Sequence, residues 1–184
     1  MKRLQQSAVI LSLIEELLQK DSWSGETHIQ KATYFLQSFL RVPLGFDFIL
    51  YKHGPFSFDL RDELTAMQAD GIVQLKARPP YGPSIIPGPN SERVKQLFPK
   101  TLKEYRERVK FVAQELGDFG VAELERLATA AYVVMHSSGD EKIEQRANII
   151  NKLKPHISIE EARCSLKSGQ EIHDRAGKLV DALE

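Results

Sequence analysis

The second half of the chain shows a helical spacing of apolar residues that continues almost without interruption from Ser91 to the end. Such a run commits this half to packed helices, because each apolar face must be buried against another element. Ser158 and Glu161 have the spacing of a capping box, and Pro155 separates the last helix from the one before it. The predicted helices lie at about 91–97, 101–116, 121–135, 140–153 and 159–183.

The first 40 residues predict two helices. Apolar residues recur at three- and four-residue spacing from about Leu4 to Lys20, and again from about Glu26 to Phe39. Ser24 is suited to cap the second helix. Two consecutive helices with a short connection favour a helical hairpin.

The segment that follows predicts a strand and a third helix. Residues 46–51 alternate in a strand-like pattern that stops at Gly54-Pro55, where the chain is expected to turn. Ser57 is suited to cap the third helix, and Gly71 to end it.

A strand, a loop and a returning strand are predicted next, at 72–75, 78–83 and 84–86. Winged-helix units end in this order, with a helix and then two strands joined by a loop that contains Pro and Gly. The sequence therefore predicts an α+β, mostly helical fold, with a winged-helix-like unit at 1–89 and a helical bundle at 90–184. We expect the two parts to share one cooperative domain, since 184 residues are few for two independent cores.

The whole molecule is expected to have no strong electrostatic field, because 25 Lys and Arg residues offset 25 Asp and Glu residues. The segment from Gly71 to Lys110 is locally basic, and this is the one electrostatic indication of an anionic partner. The first helix carries too many charges for a signal sequence or a membrane span, and the single Cys164 forms no intramolecular disulfide. We therefore expect a cytoplasmic protein with no membrane partner.

Two stretches of the first half resemble a family of bacterial proteins. They are Gly25-Glu-Thr-His-Ile-Gln-Lys-Ala-Thr-Tyr-Phe-Leu36 and Leu50-Tyr-Lys-His-Gly-Pro-Phe-Ser-Phe-Asp-Leu60, followed by Asp70-Gly71. The chain is similar here to the YwgA-like and Panacea (SocA-like antitoxin) group, with His53-Gly54-Pro55 as in the YwgA-like branch. The helix at 121–128 and the Lys154-Pro155 step are also similar. The resemblance implies that the chain contacts a toxin, either to neutralise it or to act as an adaptor between the toxin and a protease. It implies no catalytic residues.

The leading functional hypothesis is a non-enzymatic protein-binding regulatory module or antitoxin-like adaptor, whose partner is another protein, with a toxin as one candidate. Gln30, Lys31 and Tyr34 lie at helical spacing on one side of the second helix. Together with Lys52 and His53 they are expected to form the partner-binding surface. Lys52 and His53 are also open to two interpretations, as an anion site beside a helix start or as an ordinary turn.

The alternative hypothesis is a DNA-associated transcriptional regulator. The third helix would bring mostly acids toward DNA, which is the wrong sign for groove entry. A basic wing and a basic middle helix are better suited to contact a nucleic-acid backbone. The candidate residues are Lys76, Arg78, Lys103, Arg106 and Lys110.

The sequence shows no catalytic or metal-binding motif that would indicate an enzyme. The five histidines show no ligand spacing, and no Gly-x-Ser-x-Gly nucleophile motif occurs. Cys164 lies within a helical pattern and is interpreted as a packing residue. We therefore expect no metal, no cofactor and no enzymatic activity.

Overall fold

The computed structural model describes residues 1–20, 22–137 and 141–184. That part of the chain forms eight helices and two small antiparallel sheets, and 66% of it is helical. The helices are α1 (Arg3–Leu18), α2 (Glu26–Ser38), α3 (Phe58–Ala69), α4 (Ser91–Leu97), α5 (Pro99–Leu116), α6 (Val121–His136), α7 (Ile143–Leu153) and α8 (Ile159–Leu183). The strands are β1 (Ile49–Tyr51), β2 (Gly54–Phe56), β3 (Val73–Arg78) and β4 (Tyr81–Pro87). The predicted α+β, mostly helical class is confirmed.

The main core forms around α1. This helix has buried residues on all sides, because α5 packs along it and α2, α4 and β4 also contact it. The core combines residues of both predicted parts, from Ala8 to Val180. A second, smaller core lies between α6, α7 and α8.

Several local predictions can be compared directly with the structure. Ser57 caps α3 by accepting the Leu60 amide at 3.2 Å, and the Ser158–Glu161 capping box is present. The predicted Ser24 cap is wrong, because Gly25 is the N-cap of α2. Ser24 instead donates its hydroxyl to the Ile85 carbonyl at 3.1 Å and so ties the α1–α2 connection to β4.

The predicted strand at 46–51 is shortened to its last three residues. The reason is that the Gln37 side chain forms hydrogen bonds with both backbone groups of Phe46, which are then not available to a neighbouring strand. Gln37 accepts the Phe46 amide at 2.9 Å and donates to the Phe46 carbonyl at 2.8 Å. The prediction that the chain turns at Gly54-Pro55 is also wrong. The turn lies at Lys52-His53, and Gly54 and Pro55 belong to β2, which pairs antiparallel with β1.

The predicted order of a helix followed by a two-stranded hairpin is present as α3, β3 and β4. β3 pairs with β4, while β1 pairs with β2 in a separate sheet. The winged-helix interpretation and the division at 89 stay predictions. The predicted start of a helix at Asp140 lies outside the described residues, and α7 begins at Ile143. None of the described helices combines the length and the apolar character needed to cross a membrane.

Candidate functional site

The hairpin of β1 and β2 packs closely against α6. Gly54 has a φ of +87°, which an L side chain rarely adopts. A Cβ added at Gly54 would lie 3.2 Å from Thr129 Oγ1 and 3.5 Å from Lys31 Cε. Glycine at this position therefore lets the hairpin turn approach both α6 and α2.

Glu125 on α6 binds two histidines from different parts of the chain. His53 Nδ1 lies 3.2 Å from Glu125 Oε2, and His156 Nε2 lies 2.9 Å from Glu125 Oε1. The carboxylate is buried, whereas both imidazoles are largely exposed. Glu125 thus links the hairpin turn to the connection between α7 and α8, and these contacts become ion pairs when the histidines are protonated.

Two buried lysines flank this carboxylate. Lys31 on α2 is only 1% exposed. Burial lowers its pKa to about 8, and the nearby Glu125 opposes that lowering. Lys154 is also buried, which lowers its pKa, and its ammonium group donates to the carbonyls of Tyr51 and Lys52.

Together these contacts fix the inner side of the hairpin. We call Lys31, Glu125, Lys154, His53 and His156 the polar cluster. It connects α2, the hairpin turn, α6 and the α7–α8 connection. Charge-assisted hydrogen bonds of this kind are stronger than neutral ones, so the cluster holds the hairpin in one position.

The outer side of the hairpin carries three aromatic rings in mutual contact. Tyr51 is 51% exposed and Phe58, at the start of α3, is 41% exposed. The ring centroids of Tyr51 and Phe56 are 5.7 Å apart, those of Tyr51 and Phe58 5.6 Å, and those of Phe56 and Phe58 5.1 Å. The Arg61 guanidinium lies 5.1 Å from the Phe58 ring centroid. We call Tyr51, Phe56, Phe58 and Arg61 the aromatic patch.

The predicted partner-binding residues divide into two groups. Lys52 and His53 are exposed at the hairpin turn, next to Tyr51 of the aromatic patch. Gln30, Lys31 and Tyr34 are buried, so the prediction that they form a surface is wrong. The reason is that α2 contacts α1, α3, α5, α6 and β2, and its central turns therefore have no solvent face.

Two of these buried residues, Gln30 and Tyr34, instead make contacts within the core. Gln30 donates to the Ser57 carbonyl and accepts the Ser57 amide, both at 2.9 Å, and so fixes the start of α3. The Tyr34 ring packs against Phe48 at a centroid distance of 5.2 Å, and its burial raises its pKa. Much of the segment that resembles the YwgA-like and Panacea group is thus internal in this chain.

The residues predicted for the nucleic-acid alternative lie in two places. Lys76 and Arg78 are exposed on β3, where the Arg78 guanidinium covers the Trp23 ring at 4.5 Å. Lys103, Arg106 and Lys110 lie on α5, and Lys110 is 3.8 Å from Glu107. The β3–β4 hairpin packs on α1 and α3, whereas α5 packs mainly on α1 and α2. Within the described ranges, no hydrogen bond or ion pair joins the two groups.

Sequence reasoning missed most of the polar cluster and all of the aromatic patch. Glu125 and His156 are far from His53 in sequence, and only the folded chain brings them together. The aromatic patch had a local signal, because Tyr51, Phe56 and Phe58 closely flank the Gly54-Pro55 step. In residues 1–20, 22–137 and 141–184, no group of three or more His, Cys, Asp or Glu is arranged to hold a metal ion.

No family model matches the chain, and a search of curated proteins found no match. The resemblance to the YwgA-like and Panacea group therefore stays a prediction.

Proposed function

We propose that the chain is a non-enzymatic, protein-binding regulatory module that contacts its partner through the aromatic patch and the neighbouring Lys52 and His53. One observation carries this proposal. Three aromatic rings in mutual contact reach solvent on the β1–β2 hairpin and the adjoining start of α3, and the polar cluster fixes the inner side of this hairpin.

The residue types of the aromatic patch suit a binding surface. Tyrosine and arginine are enriched among the residues that contribute most to protein–protein affinity. The ring contacts and the Arg61 contact with Phe58 restrict the side chains before any partner arrives. A partner then orders few groups on binding, so less conformational entropy opposes the complex.

The charges beside the patch indicate what kind of surface the partner offers. Lys52 and His53 are exposed at its edge. An apolar side chain on the partner would match the rings, and a carboxylate beside it would match Lys52, whereas His53 already contacts Glu125. The resemblance to SocA-like antitoxins adds a toxin as the candidate partner, which makes the chain an antitoxin-like adaptor.

The test is affinity capture from the native host with matched variants of the tagged chain. The double variant Tyr51→Ala/Phe58→Ala removes two exposed rings, whereas Leu97→Ala/Leu183→Ala removes two exposed apolar side chains on α4 and α8, outside the patch and the cavity lining. We expect one captured protein to be lost with the first variant and kept with the second. A protein that both variants capture equally well would contradict the proposed surface, provided that circular dichroism shows both to be folded.

A DNA-associated regulator is the second candidate, and the exposure of Lys76, Lys103 and Arg106 favours it. Binding through these groups would release counterions, so affinity would fall steeply with salt. The exposed face of α3 carries Asp59 and Asp62, which oppose its entry into a groove. A gel-shift assay with genomic DNA fragments at several salt concentrations separates this candidate from the first.

A further inference from the structure

A cavity of about 810 Å³ lies beside the aromatic patch and shares Arg61 with it. It is enclosed by the β3–β4 hairpin, α3, the starts of α2 and α6, and the connection between α5 and α6. Cavities that hold small molecules usually measure roughly 300–1,000 Å³. This volume suits a molecule of ordinary cofactor or metabolite size.

Apolar side chains form a large part of the cavity lining, both in its buried part and at its opening. Leu64, Val73 and Ile85 are buried and form part of the lining, whereas Leu75, at 48% exposure, reaches solvent. Other exposed apolar side chains around the opening are Trp23, Tyr81 and Val121. Large apolar side chains that are left exposed around a concave surface are typical of a binding site.

The aromatic rings at the opening are held in place. The Trp23 and Tyr81 ring centroids are 4.5 Å apart, and Arg78 covers the Trp23 ring. Hydrogen bonds between Ser24 and Ile85 attach the segment that carries Trp23 to β4. This side of the cavity is therefore preformed.

The charges of the described residues that line the cavity cancel. Among the described lining residues, Lys20 and Arg61 are balanced by Glu26 and Asp118. His28 is buried, and burial lowers its pKa to about 4, so it adds no charge at neutral pH. This described part of the lining thus has no net charge that would attract a strongly anionic or cationic ligand.

Polar groups without charge are also present in the walls. Thr27, Thr65 and Gln68 supply hydroxyl and amide groups that can orient a ligand by a few hydrogen bonds. Apolar walls, aromatic rim residues and balanced charges all favour the same kind of molecule.

We propose that this cavity binds an uncharged, ring-containing small molecule with a few hydrogen-bonding groups. The cavity shares Arg61 with the aromatic patch but is lined by none of its rings, so the regulatory module would carry a ligand pocket in addition to its protein-binding surface.

The test uses the neutral fluorescent probe N-phenyl-naphthylamine with the purified full chain. Trp23 is the single tryptophan of the chain and lines the cavity, so energy transfer from Trp23 reports on a probe bound there. We expect saturable one-to-one binding with a Kd on the order of 100 µM or tighter. Non-saturable binding, or binding without a change in Trp23 emission, would overturn the proposal.

Matched variants locate the bound probe. Leu75→Glu places a carboxylate on the cavity wall, whereas Leu97→Glu makes the same change on α4 at a site that is 57% exposed and outside the lining. We expect about tenfold weaker binding for Leu75→Glu and unchanged binding for Leu97→Glu. Thr65→Phe, which fills space without adding charge, should also weaken binding, so the test survives if one variant fails to fold. Equal binding by all the folded variants would place the probe elsewhere and refute the site.

A charged probe tests the ligand class. Anilinonaphthalene sulfonate has a similar ring system but carries a negative charge. We expect it to bind more weakly than the neutral probe, because Glu26 and Asp118 offset the cations of the lining. Clearly tighter binding of the sulfonate would contradict the proposed uncharged class.

Discussion

Lys31 should make the protein more stable at mildly alkaline pH. Its side chain is almost fully buried, and this burial lowers its pKa from 10.5 to about 8. The unfolded chain therefore binds more protons than the folded chain between these two values. Because the free energy of unfolding rises with pH wherever the unfolded state binds more protons, stability should increase through this window.

The size of the effect follows from the two pKa values. Near neutral pH Lys31 is charged in both states, and its burial destabilises the fold by roughly 3 kcal/mol. Raising the pH from about 7 to about 9.5 should recover roughly 2 kcal/mol of that amount. The window ends there because burial also raises the pKa values of Tyr34 and Tyr105, which makes stability fall again as tyrosines ionise in the unfolded chain.

The assay is urea unfolding at several pH values across this window, followed by circular dichroism, for the wild type and two variants. Lys31→Met keeps the length of the side chain and removes the proton-binding group, so most of the rise should disappear. A smaller rise should persist, since burial lowers the pKa of Lys154 in the same direction. Lys76→Met, at an exposed position, should behave like the wild type. A wild-type stability that is flat across the window, or a rise in Lys31→Met as large as that of the wild type, would refute the reasoning.

Two further predictions concern His28 and Gly54. Burial lowers the pKa of His28 from 6.5 to about 4, so stability should fall as pH drops through this range; acidification from about 7 to about 5 should cost roughly 2 kcal/mol. In urea unfolding, His28→Gln should lose less stability on acidification than the wild type does. His173→Gln, at an exposed position, should lose as much stability as the wild type. Gly54→Ala should lower stability by about 1–3 kcal/mol, because φ is positive there and Thr129 Oγ1 leaves too little room for a Cβ. Thermal unfolding would count against this explanation if Gly54→Ala were as stable as Gly177→Ala, whose added Cβ meets nothing within 4 Å.

The sequence predicted most helices because their signals are local. The capping box at Ser158 and the apolar spacing of the second half depend on neighbouring residues alone, and α4 and α8 match their predicted bounds. The helix α2 shows where such signals fail. Its spacing suggested a polar face, but spacing does not reveal how many other elements surround a helix, and here five of them do.

The candidate site was harder to predict because it depends on contacts that are distant in sequence. His53 meets Glu125 across 72 positions, and Lys154 meets the Tyr51 carbonyl across 103. No local pattern in the sequence specifies such pairs. The two turn residues, by contrast, could be chosen in advance, because the Gly54-Pro55 step indicated a nearby turn, although the turn itself lies at Lys52-His53.

The central claim is that a protein partner binds to the aromatic patch. Its most direct test is isothermal titration of the captured and purified partner with two double variants that both stay folded. We predict that Tyr51→Ala/Phe58→Ala weakens the Kd by about 30-fold or more, since two hot-spot residues contribute at least about 2 kcal/mol. Lys76→Ala/Arg78→Ala should leave the Kd nearly unchanged. Loss of binding with the Lys76 and Arg78 pair, together with an unchanged Kd for the aromatic pair, would contradict the proposed binding surface.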